Sequence, residues 1–142
     1  MNLNIEFNKG LEGISFGCTP EVIRSIMGNP DEVENLENAV EGTMESIVWY
    51  YPDSGLNYFF DATNGEPVLC TIESENIETT LFETLVFNLS RSEITLLMKK
   101  YGFTDLEEDD EIWGEHRVTF DGAQADFYFV NDELTLVSWS SY

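Results

Sequence analysis

"FGCTPEVIRSIMGNP", residues Phe16–Pro30, is a helix with both its start and its stop written in. Thr19 is placed to cap, Pro20 suits the first helical position, and Glu21 complements the positive end of the helix dipole. Val22, Ile23, Ile26 and Met27 then form one apolar stripe at helical spacing. Gly28 supplies a left-handed C-terminal residue, and Pro30 forbids continuation. Farther along, "FNLSRSEITLLMKKYGF", residues Phe87–Phe103, writes the same element again. Ser90 and Glu93 form a capping box, and Ile94, Leu97, Met98 and Tyr101 make the stripe. Lys99 and Lys100 suit the negative end of the dipole, and Gly102 ends the helix. Phe16 and Phe87, Ile23 and Ile94, and Met27 and Met98 each stand 71 positions apart, half of the 142-residue chain. The spacing predicts a tandem duplication, with a first repeat over 1–75 and a second over 76–142.

The flanks agree with a doubled plan. A short strand precedes each helix, "GISF" in one case and "TLVF" in the other. An acidic linker follows each: "DEVENLENAVEGTME" and "TDLEEDDEIWGE". Three strand-like runs come next, "SIVWYY", "GLNYFFD" and "VLCTIES" in the first half and "HRVTF", "AQADFYFV" and "LTLVSWS" in the second. "PDSG", Asn64-Gly65, Asp121-Gly122 and Asn131-Asp132 supply the turns. Each half therefore reads as strand, helix and three-stranded meander, an α+β unit with a helix laid on a four-stranded antiparallel sheet. Strand alternation assigns Ile47, Trp49, Tyr51, Leu56, Tyr58 and Phe60 to one core face. Val118, Phe120, Ala125, Phe127 and Phe129 form the other. The remaining face is expected to carry Val48, Tyr50, Asn57 and Phe59, with Leu69 and Thr71 nearby. From the second half it takes Arg117, Thr119, Gln124, Asp126 and Tyr128, with Val137 and Trp139. Rings mixed with polar groups in this way mark an interaction surface. The competing arrangement buries these faces between the halves.

"GCTPEVIRSIMGNP", residues Gly17–Pro30, resembles the motif that opens the repeats of the β-lactamase-inhibitor-protein-like (BLIP-like) fold. That fold also includes small outer-membrane assembly lipoproteins, and the inhibitor is a tandem of two helix-on-sheet units. The second copy departs from the motif, with Asn88 at the leading glycine and no Gly-x-Pro stop. The resemblance implies protein binding through the open sheet face and the hairpin tips. The "PDSG" tip, with Asp53, corresponds in position to a tip that the inhibitor inserts into its target.

Charge narrows the partner. The chain holds 28 Asp plus Glu against 6 Lys plus Arg, a net charge of −22, and both halves share the excess. Such a field repels nucleic acid and anionic membrane and speeds encounter with a basic protein. "MNLNIEFNKGLEG" lacks a basic segment followed by an apolar one, so a cytoplasmic location is expected, with no membrane and no disulfide between Cys18 and Cys70. Catalytic signatures are missing. His116 is the lone histidine and reads as structural. No nucleophile elbow, phosphate-binding glycine loop or His/Cys metal spacing occurs. "DATNGE" reads as a hairpin turn rather than a calcium loop, and "EEDDE" as a solvated loop. The expectation is a protein without cofactor or metal that is not an enzyme.

Together these readings point to a cytoplasmic, acidic, protein-binding inhibitor: a bacterial immunity protein that neutralises a basic, nuclease-like toxin. Tyr50, Phe59, Tyr128 and Trp139 would be its anchors. Asp53, Asp121, Asp126 and a loop over Glu107, Glu108, Asp109, Asp110 and Glu111 would meet cationic side chains, with Trp113 beside them. Two alternatives are a nucleic-acid mimic that occupies a DNA-binding protein and a scaffold module whose charge serves solubility.

Overall fold

The computed structural model describes residues 2–36, 45–110 and 114–141. Its elements run β1 (Asn4–Glu6), β2 (Gly10–Leu11), β3 (Ile14–Ser15), α1 (Pro20–Met27), β4 (Glu32–Leu36), β5 (Ser46–Tyr51), β6 (Leu56–Asp61) and β7 (Val68–Ser74). The second half follows as β8 (Thr80–Leu81), β9 (Thr84–Leu85), a 3-10 turn (Val86–Asn88), α2 (Arg91–Lys100), β10 (Leu106–Asp110), β11 (Glu115–Phe120), β12 (Ala125–Val130) and β13 (Glu133–Ser140). The class is mixed α+β.

Both meanders enter one eight-stranded sheet of order β10-β11-β12-β13-β7-β6-β5-β4. The halves meet at its centre, where β7 and β13 pair antiparallel from Ser74–Val137 to Thr71–Ser140. A smaller five-stranded sheet, β3-β2-β1-β8-β9, joins them again through the parallel pair β1–β8.

The outermost strands differ from the sequence expectation. The strands before the helices, β3 and β9, belong to the small sheet. The fourth strand of each meander is instead the acidic segment that looked like a linker: "EVENL" forms β4 and "LEEDD" forms β10. An outer strand needs no buried face, so a polar segment can take the position and shows no apolar alternation to reveal it.

The core lies between one face of the large sheet and a layer made of the two helices and the small sheet. Phe60, Phe120, Phe127, Tyr58, Ile23, Ile94, Met98 and Leu11 are all buried there. Hydrogen bonds tie the layers together, three of them around α1. The Gly17 amide donates to the Leu69 carbonyl, the Leu69 amide donates to the Cys18 carbonyl, and the Tyr51 hydroxyl donates to the Gly28 carbonyl. Cys18 and Cys70 are both free thiols.

The helices keep their sequence bounds, but their details diverge. In α1 only Ile23 is fully buried, while Val22 and Ile26 are exposed, so the four-residue stripe is narrower than its spacing implies. Thr19 occupies the N-cap position without a side-chain cap bond, whereas Ser90 and Glu93 make the complete reciprocal capping box on α2. In α2, Ile94 and Met98 are buried, and Tyr101 is half-exposed and stacks on Phe82 at 3.8 Å. The two caps predict unequal variants. Ser90→Ala removes a bond to the Glu93 amide and is expected to lower unfolding free energy by about 1 kcal/mol. Thr19→Ala removes no such bond and should stay within about 0.5 kcal/mol of the parent, as ordinary surface changes do. Chemical denaturation of both variants checks the contrast, and equal losses would refute it.

Candidate functional site

Among the described residues, one face of the large sheet carries neither helix nor small sheet. A row of paired residues crosses all eight strands on this side: Glu32, Tyr50, Asn57, Glu73, Ser138, Asp126, Thr119 and Glu107. A second row holds Glu34, Val48, Phe59, Thr71 and Ser140, and a third holds Asp109, Arg117, Tyr128 and Leu136. The charged members of these three rows are Glu32, Glu34, Glu73, Glu107, Asp109 and Asp126 against Arg117 alone.

The middle of the face is lined by small side chains. Thr71, Ser138 and Ser140 are buried, with Thr71 and Ser140 sharing a hydroxyl hydrogen bond of 2.8 Å. The rim acids Glu32, Glu34, Glu107 and Asp109 are exposed, and Tyr50, Phe59, Tyr128, Asn57 and Glu73 are intermediate. Val48 is fully buried although it belongs to this side.

The side chains are already cross-linked. The Tyr50 hydroxyl donates to Glu34 at 2.8 Å, and that bond to a carboxylate, aided by burial, pushes the phenol up to about 12. Arg117 donates to Asp109 at 2.5 Å and stands opposite Tyr128 in the register of β11 and β12. The Thr119 hydroxyl donates to Asp126 at 2.5 Å. The Asn57 amide donates to Glu73 at 3.3 Å. Burial raises the Glu73 carboxyl above the ordinary carboxylate range, and the Asn57 bond only partly opposes it.

Several sequence-predicted residues do fall together here: Tyr50, Phe59, Asp126, Tyr128, Glu107 and Asp109. Trp139 does not. It lies on the core side opposite Ile72 and Ala125, is fully buried, and its indole N–H donates to the Gly10 carbonyl at 2.7 Å. Val137 and Leu69 are likewise buried in the core. The reason is a pair of β-bulges. Register shifts between Tyr128 and Phe129 and between Phe59 and Phe60 leave Thr135 and Cys70 as extra residues. One extra residue inverts the parity of everything beyond it. The alternation of Val137 and Trp139 with Ser138 and Ser140 was a usable signal for the right side.

The acids divide as well. Glu107 to Asp110 form strand β10, not a loop, and Glu111 and Trp113 lie outside the described residues. Glu108 and Asp110 pair with Val118 and His116, so they stand on the opposite side of the strand from Glu107 and Asp109. His116 is held there, its Nδ1 against Asp110 and its Nε2 3.9 Å from Glu108. Asp53 caps the β5–β6 hairpin and Asp121 the β11–β12 hairpin. Because every neighbouring pair in the large sheet is antiparallel, those two tips sit at opposite ends of it. They do not form one patch. Glu73 escaped notice in the sequence, although it stands two residues beyond Thr71 and strand period places both on one side.

No three His, Cys, Asp or Glu side chains gather to hold a metal among the described residues. Among the described residues, no helix is long and apolar enough to cross a membrane. No family model matches the chain, and no curated protein matches it. A solved structure that does is a DUF4309-family protein, YjgB, from Bacillus subtilis, with a TM-score of 0.50 and 12% identity over 93% of this chain and 84% of that one. At that identity the likeness concerns the fold alone.

Proposed function

We propose that this protein is a cytoplasmic, non-catalytic inhibitor that binds a basic protein across the open face of the large sheet, in the manner of an immunity protein against a nuclease-like toxin. The observation that carries this reading is the face itself. It is a surface where Tyr50, Phe59 and Tyr128 stand among Glu32, Glu34, Glu73, Glu107, Asp109 and Asp126, with Arg117 as the one cation of these rows. Tyrosine supplies contact area at low entropic cost, and one-sided charge selects a cationic partner and accelerates encounter. The doubled order of hairpin, helix and four-stranded meander supports a tandem BLIP-like unit, and it spans both halves of the chain. Two free thiols suit a reducing compartment. A nucleic-acid mimic is less well supported, because rings interrupt the carboxylate rows.

The test is capture of the basic protein encoded beside this gene, followed by kinetics across a salt series. Association is expected to slow by more than tenfold between about 50 and 500 mM salt, as screening shortens the field's reach. Tyr50→Ala with Tyr128→Ala should raise the dissociation rate. A partner that fails to bind at low salt, or binding indifferent to salt, would defeat the reading.

A further inference from the structure

Glu73 occupies the middle of the open face, on the central strand β7, with Asn57 and Ser138 as its lateral neighbours. Tyr50 lies two strands away on one flank and Tyr128 two strands away on the other, and both rings sense its charge. No Lys or Arg lies within ion-pair distance of it among the described residues, which include every Lys and Arg of the chain. Among the described residues its side chain has one hydrogen bond, the 3.3 Å bond from Asn57. A half-buried carboxylate so poorly compensated is a standing cost to the fold, because desolvation is not repaid by a nearby cation.

The same face shows how it treats a cation when one is present. Arg117 is held by Asp109 at 2.5 Å and lies opposite Tyr128 across the strand pair. The surroundings of Glu73 offer matching chemistry: a carboxylate, an amide carbonyl and tyrosine rings on either flank. A planar guanidinium can accept that carboxylate as a fork and lie against a ring, which a compact ammonium cannot do as well.

We propose that Glu73 is the residue that fixes partner specificity, pairing with one arginine side chain of the basic partner laid on the face between Tyr50 and Tyr128. This rests on the open face being the binding surface. It adds that affinity concentrates at a single half-buried carboxylate at the centre of the face instead of spreading over the rim acids, where exposed pairs contribute little.

The probe is acetyl-arginine-amide, with acetyl-citrulline-amide as its uncharged isostere, titrated at 150 mM salt. Chemical shifts of the Asn57 side-chain amide and the Ser138 backbone amide are followed by NMR. The arginine compound is expected to shift both signals saturably in the parent, with at least tenfold weaker binding for Glu73→Gln and for citrulline. Thermal unfolding of Glu73→Gln supplies a second readout that needs no ligand, and its Tm should rise because an uncompensated charge is gone. Three results would overturn the inference. A lower Tm for Glu73→Gln would mean that Glu73 is already compensated. Equal arginine binding by parent and Glu73→Gln, with shifts near Glu32 or Glu107, would reject Glu73 while leaving the face as the binding surface. Shifts nowhere on the face would reject both.

Discussion

Replacing Trp139 with alanine is expected to lower the unfolding free energy by about 3–5 kcal/mol, the range for a fully buried large ring. The indole is sealed beneath the seam where β7 and β13 pair, and its N–H donates to the Gly10 carbonyl in the small sheet. It therefore does two things at once: it fills the core behind the junction of the two halves, and it pins the second layer to the first. Trp139→Phe separates these roles. The ring volume largely remains, but the Gly10 carbonyl loses its donor, so a smaller loss of about 1–3 kcal/mol is expected. Denaturant unfolding followed by far-UV circular dichroism measures both variants without relying on the indole as probe. A loss below about 1 kcal/mol for the alanine variant would contradict the buried placement, since surface substitutions stay within that range.

Gly10→Ala is expected to be nearly as damaging, by an independent route. Gly10 adopts φ +133, a region that favours glycine, and a Cβ there would stand 2.2 Å from the Ile14 carbonyl oxygen. That oxygen belongs to the backbone of the neighbouring strand β3, so it cannot swing aside as a side-chain tip would. Overpacking of about 1–3 kcal/mol adds to strain of about 1–2 kcal/mol at positive φ. Because the Gly10 carbonyl is the acceptor for Trp139, the two sites are coupled. The double variant Gly10→Ala with Trp139→Phe should lose less than the two single losses added together, by at least about 0.5 kcal/mol. Strict additivity would show that the indole bond contributes nothing to stability.

Much of this architecture is legible in the sequence, and the failures share one kind of cause. Helix punctuation was readable because each signal is local: Pro20, Gly28, Ser90 and Gly102 act within a few residues of themselves. The strand sets in β5, β6, β11 and β12 were readable because alternation within a short hairpin is also local. Trp139 was misplaced because its parity depends on a bulge near Tyr128, which the chain reveals only through register with a neighbouring strand. The acidic strands β4 and β10 were invisible for a related reason, since their pairing with β5 and β11 leaves no apolar trace in their own residues. Glu73 carried a signal in its position after Thr71, but a lone acid among so many had nothing to single it out until its neighbours were in place. Sequence reading thus recovered what neighbours along the chain decide and lost what neighbours across the sheet decide.

The two acidic outer strands have a further consequence. An open sheet ends in two rows of unsatisfied backbone groups, and each would serve as a template on which another copy could add, strand upon strand. Here those rows lie on "EVENL" and "LEEDD", so a second copy approaching either end meets carboxylates with carboxylates. The negative charge is therefore concentrated where polymerisation would begin. Replacing Glu107, Glu108, Asp109 and Asp110 with their amides removes this guard, and fibrous assemblies are the form such a sheet would take.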